Sequence, residues 1–426
     1  MEFSVERSPL AGAVTIPGSK SHTISGLMLG ALADGSSTLV RPLRSNDTES
    51  CAAVCAALGA SVDTASDDAW TVRGTAGRPA AASSPVDVGN SGTTLFLALT
   101  AAALADGETE FIGDEQTQRR PAGPLLRALR ELGATTVSRR GNDCVPLVVG
   151  GGLHGGHVTI ECPTSQYLSS LLIGCPLADG DTRIDVPLLN EAPYVTMTLA
   201  WLEALGVRYE AAEDYSRFDI AGGQRYRAFR RAVPGDFSSA TFFLVAAAVT
   251  GSRLFLRGLD MEDTQGDKAV VDMMRAMGCD VEPADDGLWI QGPECLKRAT
   301  FDLNATPDAV PAMAVAGCLA EGETRLLNVP QARAKETDRL AVMTSELRKL
   351  GAEVEELPDG LVLRSSRLRG APVNGHGDHR VVMALTVAGL AAEGVTTIST
   401  AESAAITFPN FAALMRSAGA RLAERG

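Results

Sequence analysis

Apolar, alanine-rich stretches alternate along the whole chain with glycine turns and short segments rich in β-branched residues. A helix-like stretch that ends in Gly and leads into a strand-like segment occurs six times, as in AALGASV at 56–62 and RKLGAEVE at 348–355. Glycine favours the left-handed position that ends many helices, whereas β-branched residues favour strands. These glycines recur at intervals of 68 to 74 residues, at Gly59, Gly133, Gly206, Gly278, Gly351 and Gly419. The pattern predicts an α/β fold of six units, three in each of two similar domains.

The chain is expected to pass between the two domains twice. The segment AVPGD at 232–236 separates the third unit from the fourth and is the best candidate for a hinge. The first strand-like segments, SVERSP and AVTI, precede the first full unit, which indicates a second crossing near Pro17–Lys20. We therefore predict one domain at 18–234, a second domain formed by 1–17 plus 235–426, and a ligand site in the cleft between them.

The composition is that of a folded globular protein, and it limits the partners. Hydrophobic residues make up 45% and charged residues 21% of the 426 residues, which excludes a largely disordered chain. The net charge of −14 argues against nucleic acid binding, which needs a basic face, but Lys and Arg concentrated in one cleft would still hold small anions. The longest apolar stretches fall short of the ~18–20 residues of a membrane span, so no membrane partner is expected.

Cysteine and histidine usage indicates neither a disulfide framework nor a metal site. The eight Cys form no C-x-x-C pair, and they are predicted to be small buried residues in a reducing compartment. His154 and His157 lie in a glycine turn with no third ligand nearby, so no bound metal is expected. The N-terminus lacks the basic and apolar regions of a signal peptide. We expect a cytoplasmic protein that is a monomer.

Small polar residues precede apolar helix-like stretches at three places in the first half of the chain. These are PGSKSHTISGLMLGAL at 17–32, GNSGTT at 89–94 and ECPTSQYLSSLL at 161–172. Backbone N–H groups at a helix start attract anions, and two side chains add full positive charges: Lys20, and Arg120 from the segment GDEQTQRRP. Taken one at a time, each segment is also consistent with a capped helix start or a solvated loop.

Ionisable side chains are concentrated in the second half. Asp308 is a single carboxylate in the apolar run ATPDAVPAM, where burial would favour its protonated form and suit it to proton transfer. The segment RAKETDRL would place Lys335 and Arg339 on one face of a helix, although a solvated helix with surface ion pairs has the same pattern. The segment GHGDHRVVMAL brings Arg380 to the start of another buried helix. Together these segments predict a cleft for two small anions, with Asp308 and Glu336 as acid–base groups.

The chain resembles the enolpyruvyl transferase family over essentially its full length. The family's motifs occur in order as PGSKS, GNSGTT, RRP, TSQYLSSLL, APYVTMTL, GDFSSATFFL, QGDKA, PDA, KETDRL, GDHR and TFPNF. The resemblance implies two inverse α/β barrels, each of three βαβαββ repeats, with the first strand in the C-terminal barrel. It also implies transfer of the enolpyruvyl group of phosphoenolpyruvate to the 5-hydroxyl of shikimate 3-phosphate, with release of phosphate. This reaction belongs to the shikimate pathway of aromatic amino acid biosynthesis, and no cofactor is implied.

The resemblance also assigns roles to individual residues. Proton transfer is expected of Lys20, Asp308 and Glu336. Phosphoenolpyruvate is expected to contact Lys20, Gly92, Arg120, Arg339 and Arg380. The phosphorylated acceptor is expected to contact Ser21, Ser25, Thr164, Ser165, Gln166, Tyr194, Asp308, Gln331 and Lys335.

Four positions depart from the family pattern. The family usually has Arg where this chain has Ser25 and Phe96, Asn where it has Gln331, and Lys where it has Ile406. In the family, the arginine that Ser25 replaces grips the carboxylate of the acceptor. A charge-assisted contact of that kind is worth about 1.5–3 kcal/mol. Either Arg41 or Arg44 compensates for its loss, or the acceptor differs.

Three alternative functions remain beside this reaction. The first is a paralogue of specialised metabolism that uses another phosphorylated acceptor, or eliminates a group from a shikimate-like ring; the residue Ser25 favours it. The second is a UDP-N-acetylglucosamine enolpyruvyl transferase, which usually has a Cys in the loop that here runs from Gly113 to Pro121 and contains none. The third is an inactive binding protein, which the retained charged residues disfavour.

Overall fold

The computed structural model describes all residues from Met1 to Gly426. Contacts within the chain divide it into two compact units. The inserted unit is Lys20–Val233, and the split unit combines Met1–Ser19 with Pro234–Gly426. The chain therefore leaves the split unit after Ser19 and returns to it after Val233.

Twelve α-helices are divided equally between the two units. Those of the inserted unit are α1 (Lys20–Leu32), α2 (Asn46–Ala57), α3 (Gly92–Ala103), α4 (Gly123–Glu131), α5 (Ser165–Gly174) and α6 (Ala192–Ala204). Those of the split unit are α7 (Phe237–Thr250), α8 (Ala269–Ala276), α9 (Val310–Leu319), α10 (Arg339–Lys349), α11 (His379–Ala391) and α12 (Phe411–Ser417). Short 3₁₀ helices lie at Thr117–Arg119, Cys175–Leu177, Gly266–Lys268, Pro307–Ala309, Pro330–Ala334 and Ala401–Ile406.

The strands are short and are numbered in chain order. The split unit begins with β1 (Glu2–Glu6) and β2 (Ala11–Thr15). The inserted unit contains β3 (Ser36–Val40), β4 (Ser61–Asp63), β5 (Ala69–Arg73), β6 (Val86–Asp87), β7 (Glu108–Ile112), β8 (Thr135–Ser138), β9 (Leu147–Gly150), β10 (Gly156–Cys162), β11 (Thr182–Leu189), β12 (Tyr209–Ala211), β13 (Arg217–Ile220) and β14 (Arg230–Ala232). The split unit continues with β15 (Arg253–Arg257), β16 (Asp280–Ala284), β17 (Gly287–Gln291), β18 (Leu296–Lys297), β19 (Thr300–Asp302), β20 (Ala320–Glu321), β21 (Glu323–Leu327), β22 (Glu353–Leu357), β23 (Gly360–Arg364), β24 (Pro372–Asn374), β25 (Val395–Ser399) and β26 (Arg421–Arg425).

Six four-stranded sheets share one pairing pattern, and each unit contains three of them. In each sheet an outer strand runs parallel to its neighbour, and the other two pairings are antiparallel. In the sheet β6-β7-β9-β8, for example, β6 is parallel to β7, whereas β9 is antiparallel to both β7 and β8. Strand β1 completes the sheet of β24, β25 and β26, and β2 completes that of β15, β16 and β17. The fold is mixed α/β, with one sheet pattern used six times.

Glycine follows a helix at all six predicted positions. Gly59 comes two residues after the end of α2 and two residues before β4, with φ 97°. The five equivalent glycines have φ between 73° and 104°, a conformation in which a side chain would be strained. The prediction of six helix–glycine–strand segments is confirmed.

Each unit has its own hydrophobic core, built around helices that are buried on nearly all sides. In the inserted unit α3 packs against α1 and α5, and α1 is buried from His22 to Leu32. In the split unit α7, α9 and α11 pack against one another. Because these helices lie inside the core, the polar residues at their N-termini are fixed by the packing of the helices behind them. Every candidate anion site described below begins at such a helix start or next to one.

The cysteines largely follow the sequence prediction. Seven of the eight are buried, but Cys295 is exposed, because it lies in the loop before the short edge strand β18. None of the helices combines the length and the apolarity that crossing a lipid bilayer would require.

Candidate active site

Lys20 is the first residue of α1 and forms an ion pair across to α2. Its Nζ lies 3.1 Å from Oδ2 of Asp47, in the first turn of α2. The side chain of Lys20 is 16% exposed and that of Asp47 is 6% exposed, so the ion pair is largely shielded from solvent. Ser21 follows on α1 and is half-buried. The helix start therefore presents a cation whose position is fixed by a buried carboxylate.

Arg120 lies against the start of α3. Ser91 caps this helix by accepting a hydrogen bond from the backbone N–H of Thr94. Gly92 is the first helical residue, and a Cβ added there would overlap with the guanidinium group of Arg120. Its neighbour Arg119 is exposed, whereas Arg120 is half-buried. The absence of a side chain at Gly92 thus lets a guanidinium group and a helix N-terminus face the same small space, as an anion site requires.

The start of α5 binds a carboxylate from within the chain. Thr164 is the N-cap residue of α5, and its Oγ1 donates to Oε2 of Glu191 at 3.1 Å. Ser165 donates to the same oxygen twice, from its backbone N at 3.1 Å and from its Oγ at 2.9 Å. Glu191 is 1% exposed. The predicted phosphate-binding residues do converge on one point, and that point is an oxygen of Glu191.

Gln166 links the starts of α5 and α3. Its Nε2 donates to Oγ1 of Thr93 at 2.8 Å. Tyr194 lies in the first turn of α6 and packs against the core of the inserted unit. The predicted acceptor residues Gln166 and Tyr194 are therefore positioned by the same group of helices as the anion site at Gly92.

Two of the departures from the family pattern are accommodated by the core. Ser25 is 5% exposed, inside α1. The ring of Phe96 meets that of Tyr167 edge-on, with centroids 5.0 Å apart. Arg44, a candidate substitute cation, is held at 2.5 Å from Asp67. Arg41 is exposed and has a left-handed backbone. In the structure Arg44 is thus already paired with the carboxylate of Asp67.

Arg339 is the centre of a charged cluster in the split unit. It is the first residue of α10 and is 1% exposed. Its Nη1 lies 2.7 Å from Asp308 and its Nη2 lies 2.5 Å from Glu336. Its Nε donates to Asp378 at 2.9 Å, and Nη2 makes a second, 3.2 Å contact with the same carboxylate. One guanidinium group therefore positions both predicted acid–base carboxylates.

The electrostatics of the cluster favour the charged forms of Arg339 and Asp378. Burial alone would lower the pKa of Arg339, but the three carboxylates around it outweigh burial and raise its pKa. Burial would likewise raise the pKa of Asp378, but the guanidinium of Arg339 outweighs burial and lowers that pKa. Both groups are therefore ionised at neutral pH despite being buried.

Arg380 joins the cluster through Asp308. Its Nη2 lies 2.9 Å from Oδ2 of Asp308, while Arg339 holds the other oxygen. Arg380 lies in the first turn of the buried helix α11, as predicted. The expectation that Asp308 would be a solitary carboxylate in an apolar setting is wrong, because two guanidinium groups contact it and the side chain is 18% exposed.

The prediction that Lys335 and Arg339 share a helix face is also wrong. Lys335 ends the 3₁₀ helix Pro330–Ala334 in an extended conformation, and α10 begins only at Arg339. Asp338 starts the new helix by accepting a hydrogen bond from the backbone N–H of Ala341. Lys335 is half-buried.

The other two positions that depart from the family pattern both lie in the split unit. Gln331 is buried, and its Nε2 donates to the backbone oxygen of Asn304 at 2.9 Å. Ile406 is half-buried at the end of a 3₁₀ helix.

Sequence reasoning missed three carboxylates that hold these groups in place: Asp47, Glu191 and Asp378. Asp378 carried a local signal, because it stands directly before the predicted helix start and caps it by accepting from the backbone N–H of Arg380. Asp47 and Glu191 act on residues 27 and 26 positions away, and the sequence has no local signal for such pairings.

Comparisons with known proteins agree over the whole chain. A family model described as EPSP synthase (3-phosphoshikimate 1-carboxyvinyltransferase) matches residues 5–415. The 3-phosphoshikimate 1-carboxyvinyltransferase of Acetivibrio thermocellus is 52% identical over 420 residues, which cover 99% of each chain. That of Methanocella arvoryzae is 43% identical over 422 residues, covering 98% of this chain and 99% of its own. The solved EPSP synthase from Acinetobacter baumannii superposes with a TM-score of 0.84 at 26% identity, covering 100% of both chains.

Proposed function

The chain belongs to the EPSP synthase (3-phosphoshikimate 1-carboxyvinyltransferase) family, and from this premise we propose that it transfers the enolpyruvyl group of phosphoenolpyruvate to the 5-hydroxyl of shikimate 3-phosphate. The observation that carries the proposal is the Arg339 cluster. It joins three motifs that are far apart in sequence into one arrangement of two acid–base carboxylates and two arginines. Relatives up to 52% identical are named for the same reaction, which favours it over another acceptor.

We propose that the inserted and split units are the two inverse α/β barrels of this family, each made of three βαβαββ repeats. The equal division of six like sheets between the units supports this. The domains would be 18–234 and 1–17 plus 235–426, and the candidate residues of both would act on the same pair of substrates.

The chemistry needs protons to move on both substrates. The methylene carbon of phosphoenolpyruvate gains a proton, and the acceptor hydroxyl adds to the neighbouring carbon as it loses its own proton. The tetrahedral adduct then loses a proton from the new methyl group and expels phosphate, which restores the double bond. Lys20, Asp308 and Glu336 are proposed to carry these protons, since each is held at a fixed position by an ion pair.

Phosphoenolpyruvate carries a phosphate and a carboxylate, and the proposed site has cations for both. Lys20, Gly92 and Arg120 would contact it from the inserted unit, and Arg339 and Arg380 from the split unit. Fixed donors of this kind also stabilise charge that develops in the transition state.

The acceptor would be held mainly by the inserted unit. Its proposed contacts are Ser21, Ser25, Thr164, Ser165, Gln166 and Tyr194 of that unit, with Asp308, Gln331 and Lys335 of the split unit. The cluster of helix starts at α3 and α5 supports this, because Gln166 bridges them.

The test is a steady-state assay of purified protein with both substrates. Phosphate release that requires both phosphoenolpyruvate and shikimate 3-phosphate is expected, together with a product whose mass equals that of the acceptor plus one enolpyruvyl group in place of hydrogen. Phosphate release that does not depend on the acceptor would contradict the proposal.

A further inference from the structure

Glu191 occupies the place where the structure gathers donors for an anion. Three donors from Thr164 and Ser165 converge on the single oxygen Oε2, at 2.9 to 3.1 Å. Ser165 and Glu191 are each 1% exposed, so this contact is enclosed by the protein. Charge-assisted hydrogen bonds at a helix start are the arrangement by which proteins bind phosphate. Here the chain supplies the anion itself.

The backbone shows that the placement of Glu191 is specific. Glu191 is the N-cap residue of α6 and has φ 60° and ψ 36°, a left-handed conformation that is uncommon for a residue with a Cβ. Its own carbonyl accepts a hydrogen bond from the backbone N–H of Tyr194, so α6 fixes the backbone while the side chain reaches α5. The carboxylate is held in the same molecule as its donors, and an external anion must therefore compete with it.

We propose that Glu191 sets how tightly this protein binds phosphorylated acceptors, by filling the anion site at the start of α5. This rests on the proposed function in taking Thr164 and Ser165 as contacts of the acceptor. A phosphate group can use their donors only after displacing the Glu191 carboxylate, because two anions cannot share the same three donors. A hydroxyl group at the same place has no such conflict, since it can donate to the carboxylate. Glu191 thus lowers affinity for a phosphorylated acceptor relative to its unphosphorylated form.

The test compares the binding of shikimate 3-phosphate and of shikimate to the full chain by isothermal titration calorimetry. Glu191→Ser removes the competing carboxylate, and Glu191→Gln keeps its shape and one accepting oxygen while removing the charge, so it preserves the fold if the serine variant does not. Shikimate 3-phosphate is expected to bind about 10- to 100-fold more tightly to Glu191→Ser, with a smaller gain for Glu191→Gln. Shikimate should gain no affinity in either variant.

Glu203→Gln is the matched control, because Glu203 lies on the same helix, is exposed and makes the same change in charge. It should bind both acceptors as the wild type does. Inorganic phosphate provides an independent probe, and it should protect Glu191→Ser against thermal unfolding more than it protects the wild type. Unchanged or weaker binding of shikimate 3-phosphate by both Glu191 variants would overturn the inference.

Turnover separates this inference from the proposed function. If no variant releases phosphate from phosphoenolpyruvate, but Glu191→Ser binds shikimate 3-phosphate more tightly, the role of Glu191 stands and the proposed reaction fails. If the wild type turns over shikimate 3-phosphate and the Glu191 variants match it in KM and affinity, the reaction stands and the role of Glu191 is refuted.

Discussion

Asp378→Asn removes the charge of the carboxylate that anchors Arg339. Asp378 is 0% exposed and accepts from Nε and Nη2 of Arg339, at 2.9 and 3.2 Å. It also accepts from Oγ1 of Thr337 at 3.0 Å and from the backbone N–H of Arg380 at 2.9 Å. Asn keeps one oxygen, which can still cap α11, but it turns an NH₂ group towards the guanidinium. The variant therefore isolates the buried ion pair from the helix cap.

The magnitude follows from the burial of the pair. Breaking a buried ion pair by removing one partner costs about 3–5 kcal/mol, because the other charge is left without compensation. Arg339 retains Asp308 and Glu336, so the expected loss is near the lower end, about 3 kcal/mol. The guanidinium should also shift. Since misplacement of a group by about 1 Å can lower the reaction rate 10²-fold, KM for phosphoenolpyruvate should rise by about 10-fold or more.

The assay is urea denaturation followed by circular dichroism, with KM measured by phosphate release. Asp338→Asn is the matched control: Asp338 also caps a helix and pairs with an arginine, Arg333, at 2.7 Å, but its side chain is 38% exposed. The control should lose about 1 kcal/mol and keep its KM. Equal losses of stability in the two variants, with unchanged KM in both, would refute the anchoring role of Asp378.

The pH dependence gives an independent check on the same contact. The pKa of Asp378 is lowered from its ordinary value of 3.8, so its stabilising contribution is fully present above that value. The contribution is lost as the pH falls through the lower pKa of the folded state. The stability difference between wild type and Asp378→Asn should therefore be constant at neutral pH and shrink in acid below 3.8.

Two further variants test the proposed catalytic groups. Glu336→Gln should lower kcat by about 10²–10⁴-fold with little change in phosphoenolpyruvate affinity. The control Glu323→Gln, at a more exposed glutamate, should leave kcat unchanged. Near-normal turnover by Glu336→Gln would remove Glu336 from the mechanism. Gly92→Ala should displace the guanidinium of Arg120, because the added Cβ would overlap with it, and KM for phosphoenolpyruvate should rise by about 10-fold. An unchanged KM would show that Arg120 does not contact phosphoenolpyruvate.

Features encoded in adjacent residues could be predicted from the sequence. The helix–glycine–strand segments depend on the conformation of one glycine, and so they were recognisable at Gly59 and its five equivalents. The helix starts at Gly92, Ser165 and His379 were likewise predicted, because small or capping residues precede apolar runs there. The same logic fails around Lys335, because the segment RAKETDRL predicts one continuous helix, whereas Asp338 within it caps the start of a new one.

Most of the charged contacts of the site could not be predicted, because they join residues that are far apart in the chain, unlike Arg339 and Glu336, which are three positions apart. Asp308 pairs with arginines 31 and 72 positions away, so a carboxylate that was solitary in the sequence is doubly paired in the fold. Glu191 accepts from Ser165 out of a left-handed backbone conformation, which a glutamate does not signal. The sequence therefore indicated which residues were candidates, and the fold determines what neutralises each charge.

Phosphorus NMR of the complete reaction tests the central claim most directly. Phosphoenolpyruvate and shikimate 3-phosphate are mixed in equal amounts with the protein, and both phosphorus signals are followed. The account predicts that the phosphoenolpyruvate signal converts to inorganic phosphate while the acceptor keeps its phosphate ester at a shifted position, one for one. Release of phosphate with an unchanged acceptor signal, loss of the acceptor phosphate, or no conversion of either signal would contradict it.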